Sequence, residues 1–160
     1  MIAGTADERH RYWMRKALLQ AEIALEKGEV PVGAVLIKDD QLISKGFNLR
    51  EQLNDPTAHA EIMALSAASD RIGDWRLTGC TLYVSLEPCP MCAGALVNAR
   101  IDTVVYGLAD PAMGACDSLY HLCEDPRLNH RVKVISGILA PEIRQLMDLF
   151  FMRIRQENRA

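Results

Sequence analysis

The sequence predicts a layered α/β domain, and three observations lead there. Apolar, β-rich runs alternate with helical patterns in two strand-then-helix units, the alternation that builds sheets covered by helices. The length of 160 residues (17.8 kDa) suits one core, since a domain near this size buries roughly 70% of the surface its unfolded chain exposes. With 49% hydrophobic and 24% charged residues, ten glycines and seven prolines, the composition excludes disordered and collagen-like chains.

The elements follow in order. Trp13, Ala17, Ala21, Ala24 and Leu25 recur at helical spacing between Asp7 and Gly28, predicting an amphipathic helix with acids at its start and glycine after its last turn. Val32–Ile37 and Leu42–Ser44 flank the polar turn Lys38-Asp39-Asp40-Gln41 and read as a hairpin. Thr57–Ala68 has a helical pattern and is entered through Asp55-Pro56-Thr57, where Asp or Thr can cap exposed amides. Thr81–Leu86 reads as a strand, Cys89–Ala99 as a helix and Thr103–Tyr106 as a strand. Asp110–Arg131 weakens into a loop region with a short helical stretch around Leu119–Leu122. Val132–Ile135 is a last short strand, and Pro141–Gln156 closes the chain as a helix bearing Ile143, Leu146, Met147, Phe150, Phe151 and Ile154.

No apolar run approaches the roughly 18 residues of a membrane-spanning helix, so no segment is expected to cross a bilayer. Met1–Arg15 has charges at Asp7, Glu8, Arg9, Arg11 and Arg15 and no apolar stretch followed by a small-residue cleavage site, which makes a cytoplasmic address the default. Five cysteines, an odd and sparse set, point to thiols, some of them metal-bound, rather than to a disulfide framework. The net charge of -3 is unevenly divided: residues 126–160 carry seven basic and three acidic side chains, residues 1–125 eleven and eighteen. The basic end is a landing surface for a polyanion, although a charge run is more often a solvated face.

The chemistry concentrates in His59-Ala60-Glu61 and Pro88-Cys89-Pro90-Met91-Cys92, each at the beginning of a predicted helix. One imidazole and two thiolates supply three tetrahedral zinc ligands, and the lack of an obvious fourth leaves a position for water, the mark of a catalytic site. The partial positive charge of a helix N-terminus favours thiolates at Cys89 and Cys92. Glu61 does not share the direction of His59 on a helix, which suits a proton shuttle better than a ligand. Two other readings stay open here. Cys89 and Cys92 could form a redox pair, or Cys116, Cys123, His121 or His130 could close a structural zinc site.

The H-x-E and P-C-x-x-C pattern resembles that of the zinc nucleobase and nucleoside deaminases. Within them the chain is similar to the bacterial tRNA-specific adenosine deaminases, from about Tyr12 to Gln156. The likeness rests on Glu29–Ala34, Asn48, Asp55–Ile62, Leu86–Cys89, Met91–Ala95, Gly114–Leu119, Asn129–Val132 and Phe150-Phe151. It implies a three-layer α/β/α cytidine-deaminase-like fold around a central five-stranded mixed sheet, with residues 1–160 forming one deaminase domain.

The resemblance also implies one Zn2+ per chain on His59, Cys89 and Cys92, with Glu61 moving protons in the hydrolytic deamination of adenosine to inosine at the first anticodon position of tRNA. It places Asn48 against the purine, with Val30, Leu86 and the backbone amides of Ala60 and Cys89 as pocket wall. Asn129, His130, Phe151 and Arg153 are implied as further substrate contacts, and a homodimer is implied near the helix after Cys89 and the Asp110–Leu122 region. An anticodon loop offers splayed bases that a buried zinc site can reach. Phe150 and Phe151 cannot face one way on a helix, so one is expected in the core and the other, with Arg153 and Arg155, toward RNA; burial of both rings is the alternative. The runner-up function is a deaminase of a free base or nucleoside, guanine before cytosine. A catalytically silent zinc module is the third, and Glu61 speaks against it.

Overall fold

The computed structural model describes residues 4–159, so Met1–Ala3 of the N-terminal stretch and Ala160 lie outside the described residues. Ten elements follow one another: α1 (Ala6–Glu26), β1 (Gly33–Lys38), β2 (Gln41–Phe47), α2 (Arg50–Leu53), α3 (Ala60–Ile72), β3 (Cys80–Leu86), α4 (Pro90–Asn98), β4 (Thr103–Leu108), β5 (Lys133–Ile135) and α5 (Ala140–Glu157). The five strands form one mixed sheet in the order β2-β1-β3-β4-β5. β1 pairs antiparallel with β2 and with β3, while β3–β4 and β4–β5 are parallel. The parallel half demands crossovers, and α4 supplies the one between β3 and β4.

Side chains alternate across the pleat and sort the core into two sides. Ala34, Leu36, Leu82, Val84, Val104 and Tyr106 face Ala64, Leu65 and Ala68 of α3 and Ala93 and Leu96 of α4. Val35, Ile37, Tyr83 and Val105 face Trp13, Met14 and Ala17 of α1 and Ile143 and Met147 of α5. The expected three-layer α/β/α arrangement around a five-stranded mixed sheet is therefore present.

Local chemistry explains the ends of the elements. Thr5 caps α1 in a reciprocal box: its hydroxyl accepts from the Glu8 N–H at 3.2 Å, and the Glu8 carboxylate accepts from the Thr5 N–H at 2.8 Å. α3 lies directly on β2 because Gly46 lets it approach; a Cβ there would sit 2.6 Å from the Ala60 carbonyl oxygen. That approach seats the first turn of α3, and with it His59, beside the sheet.

Four local features differ from the sequence reading. α3 runs from Ala60 to Ile72 where the sequence predicts Thr57–Ala68, and its N-cap is His59; Asp55 instead accepts from the Thr57 N–H at 2.8 Å and hydroxyl at 2.7 Å in a local turn. Leu119–Leu122 is a bend followed by irregular backbone instead of a helical stretch. Its backbone is drawn into the loop by bonds from the Leu119 N–H to the Gly114 carbonyl and from the Leu122 N–H to the Ala115 carbonyl. The one-turn helix α2 is not expected from sequence, because most of its cap comes from elsewhere: beyond the local Asn48 oxygen on the Arg50 N–H at 3.1 Å, the buried Glu29 carboxylate accepts from the N–H groups of Glu51 at 2.8 Å and Gln52 at 3.0 Å. β2 also begins earlier and runs on to Phe47, where the hairpin reading stopped at Ser44.

Candidate active site

α3 and α4 lie on the same side of the sheet, and each begins with an unusual N-cap. His59 and Cys89 occupy the cap positions in extended conformation, and neither side chain bonds the amides of its own helix, the usual task of Ser, Thr, Asp or Asn there. Both side chains are thus free to meet each other. His59 Nδ1 lies 3.7 Å from Cys89 Sγ and 3.5 Å from Cys92 Sγ, Cys92 standing in the first turn of α4.

These three atoms fit a tetrahedral metal. With Zn–S near 2.3 Å and Zn–N near 2.0–2.1 Å, the sulfur–nitrogen edge of a zinc tetrahedron is about 3.6 Å. Among the described residues this is the one cluster of three or more ligating side chains, all its donor atoms lying within 4.8 Å of one another. Among the described residues no fourth protein donor joins it. Cys116 and Cys123 are buried together elsewhere with their sulfurs 3.7 Å apart, His121 is exposed, and His130 Nε2 donates to the Ile101 carbonyl at 2.7 Å. The set is the soft, nitrogen-and-sulfur mixture that zinc prefers.

Electrostatics prepare the donors. The Cys89 thiol is pulled down to about 4, first by its hydrogen bond with Cys92 and also by His59, against the effect of burial. The Cys92 thiol is pushed up, by the same bond and then by burial. Hydrogen bonding to Cys89 raises the His59 pKa. Glu61, on the first turn of α3, is only 3% exposed, and burial pushes its carboxyl up to about 6. An acid held in that range is suited to accept and return a proton near neutral pH.

A cavity of about 230 Å³ opens onto this cluster. Val30, Val32 and Leu86 give it apolar wall, and Asn48, Ala60, His59, Glu61 and Cys89 line it as well. Asn48 is buried; its NH2 group donates to the Val30 carbonyl at 3.2 Å, and its side-chain oxygen accepts from the Arg50 N–H at 3.1 Å. One donor and one acceptor site of its amide remain available.

The structure thus gathers Val30, Asn48, His59, Ala60, Glu61, Leu86 and Cys89 around one cavity, with Cys92 buried behind. It does not bring Asn129, His130, Phe151 or Arg153 there: Asn129, Phe151 and Arg153 are exposed, and His130 ties its loop to Ile101. Arg50, Glu87, Asp110 and Met113 line the cavity and were not singled out from sequence. Glu87 had a signal available, an acid directly before Pro88-Cys89 at the end of a strand; Arg50 opens the one-turn helix α2, and Asp110 and Met113 stand in the loop after β4, where spacing says nothing.

Fold and site together define a deaminase: residues 8–155 match the family described as MafB19-like deaminase. The chain is 44% identical to the tRNA-specific adenosine deaminase of Streptococcus pyogenes serotype M18 over 152 residues, 95% of this chain and 96% of that protein. It superimposes with a TM-score of 0.81 and 42% identity on a structure from work on A-to-I editing by tRNA deaminases at the wobble position of transfer RNA, covering 84% of this chain and 98% of the other. A guanine deaminase from Bacillus subtilis is 40% identical, but over 62% of this chain and 64% of its own, with a TM-score of 0.61. This chain belongs to the tRNA-specific adenosine deaminases.

Proposed function

We propose that this chain catalyses the zinc-dependent hydrolytic deamination of adenosine to inosine at the wobble position of tRNA, and that His59, Cys89, Cys92 and Glu61 carry the reaction. The observation that carries the role assignment is a buried carboxyl, Glu61, in the same cavity wall as a three-donor cluster that leaves a fourth position free. Zinc held by His59, Cys89 and Cys92 supplies Lewis acidity that brings the pKa of water toward neutrality. Glu61 takes a proton from the attacking water at a carboxylate oxygen as the C6–O bond forms. It delivers that proton to the ring nitrogen, then takes the remaining proton of the new C6 hydroxyl and passes it to the amine as the C6–N bond breaks, so that adenosine and water become inosine and ammonia. The apolar wall of Val30 and Leu86 excludes bulk water, and the spare donor and acceptor of Asn48 hold the purine edge.

The cavity is smaller than the roughly 300–1,000 Å³ of drug-sized ligand pockets, so it suits one base turned out of its stack while the remaining RNA lies on the surface. For that surface we propose Asn129 and the end of α5. Phe150 is 7% exposed and anchors the helix, whereas Phe151 is 45% exposed beside Arg153 and Arg155, all three in solvent. His130 then serves RNA only through the loop that it ties down. The proposal extends to residues 1–160 as one deaminase domain, α5 included, supported by a family match that spans both sides of the sheet.

Among the described residues no helix is long and apolar enough to cross a membrane. A cytoplasmic location is our further proposal, in keeping with five free cysteines, two of them buried 3.7 Å apart and unbonded. A homodimer is proposed from exposed apolar side chains on α4 and the loop after β4, Met91, Met113, Leu119 and Tyr120, which a lone chain leaves in water. Light scattering at micromolar protein is expected to read about twice 17.8 kDa; a single-chain mass contradicts the dimer.

Two comparisons test the site. Glu61→Ala is expected to keep one zinc per chain and lose turnover by at least about 10²- to 10⁴-fold, whereas Cys92→Ala loses the metal as well. Near-parental activity in the first, or full zinc in the second, contradicts the assigned roles. Replacing Arg153 and Arg155 together by Gln is expected to leave melting temperature and zinc unchanged and to lower the salt slope of tRNA binding by up to about two phosphate contacts. An unchanged slope places the RNA elsewhere, toward Arg127, Arg131 and Lys133.

A further inference from the structure

Glu87 is 2% exposed, and no step of the reaction above uses it. It stands on the β3–α4 connection, two residues before Cys89, and both its oxygens are engaged by one segment, residues 110–118. Oε1 accepts from the Asp110 N–H at 3.0 Å and from the Ser118 hydroxyl; Oε2 accepts from the N–H groups of Cys116 at 3.1 Å, Asp117 at 2.8 Å and Ser118 at 3.0 Å. The backbone on either side adds to the seam. The Glu87 N–H donates to the Leu108 carbonyl at 2.9 Å, and the Ala115 N–H donates to the Pro88 carbonyl at 2.8 Å. Gly114 passes so close that a Cβ there would lie 2.3 Å from the carboxyl carbon of Glu87.

The segment so held carries two cavity-lining residues. Asp110, gripped by Glu87 at its own N–H, accepts in turn from the N–H groups of Ala112 at 3.0 Å and Met113 at 3.2 Å, and Asp110 and Met113 both line the cavity. A buried carboxylate is the group suited to this hold, because five donors converge on two acceptor oxygens. A glutamine in its place offers one oxygen and turns an NH2 group toward N–H donors, which leaves buried amides without partners.

Resting on the functional reading above, we propose that Glu87 is a positioning residue for the deamination: by holding residues 110–118 against the segment that bears Cys89, it sets Asp110 and Met113 as the substrate-side wall of the cavity. The RNA then meets a wall already ordered, and its binding carries no cost for ordering that segment. Glu87 lines the cavity as well, but with both carboxylate oxygens engaged by residues 110–118 it acts through that segment and not on the reacting atoms.

Three variants test this, Glu87→Gln, Gly114→Ala, which inserts a methyl group against an intact carboxylate, and Ser118→Ala, which removes one donor and disturbs the fold least. In the first two, zinc content is expected to stay at one per chain while amide exchange at Cys116, Asp117 and Ser118 quickens about 10- to 100-fold and that of α1 and β3 does not change. With an anticodon stem-loop RNA, KM is expected to rise about tenfold or more with kcat within about threefold, the signature of lost binding that ground and transition states share. Ser118→Ala is expected to show the same pattern at about threefold in KM.

A double-mutant cycle separates positioning from stability alone. Met113→Ala is expected to raise KM in the parent and to add little in the Glu87→Gln background, since a displaced Met113 has no contact left to lose. Additive effects, an unchanged exchange pattern, or a fall in kcat with KM unmoved would overturn the proposal. A parent protein without turnover on the stem-loop contradicts the functional reading alone, and the exchange measurement still tests the hold of Glu87 on the segment.

Discussion

Two helices must begin at the same place on one side of the sheet, and that convergence is the constraint on which the site depends. α3 and α4 deliver His59, Cys89 and Cys92 within 4.8 Å only because their first turns meet there. Gly46 admits the first turn of α3 to the surface of β2, and the end of β3 delivers Cys89 to the cap of α4. Both N-caps give up the side-chain bond that such positions ordinarily make, so the positive ends of two helices face the ligand cluster. The positive end of α4 acts in the same direction as the hydrogen bonds from Cys92 and His59 that hold the Cys89 thiol low.

Three buried acids show how environment divides structural from chemical roles. Glu29 and Glu87 are wrapped in backbone N–H donors, two for the first and four, with a hydroxyl, for the second. For Glu87, burial works to raise the pKa, but the Ser118 hydroxyl and the surrounding amides outweigh it and hold the carboxyl below its ordinary value, a fixed charge. Glu61 lacks such a shell. It is buried beside the ligand cluster, its pKa rises to about 6, and its proton is mobile where the charge of Glu87 is not. Of Glu61 and Glu87, Glu61 is therefore the one able to exchange protons with a substrate near neutral pH.

What could be read in the sequence was whatever local pattern determines. The periodicity of Trp13, Ala17, Ala21 and Ala24 specifies a helix whose buried stripe is those residues, and the Asp39-Asp40 turn between β-rich runs specifies the hairpin, its two aspartates adopting positive φ. The spacing of His59, Glu61, Cys89 and Cys92 carries the chemistry because ligand type and helix position suffice to pose it. Long-range bonds left no such trace. α2 exists because Glu29 caps it across the fold, and the ordered loop after β4 exists because Glu87 gathers its amides. The resemblance led to Asn48, Val30 and Leu86, which spacing alone leaves as a turn residue and two ordinary apolar positions. His130 shows the converse, a polar residue whose visible task in the fold is a bond to a backbone carbonyl.

The central claim is that one small cavity processes a base presented by tRNA and not a free one. Nucleoside mass spectrometry after incubation with an unmodified tRNA bearing adenosine at the wobble position, in parallel with free guanine, adenine and cytosine, tests it most directly. The account predicts inosine in the tRNA and no conversion of the free bases. Deamination of free guanine with the tRNA left unchanged would contradict it and make the enzyme a purine deaminase that uses the same zinc chemistry.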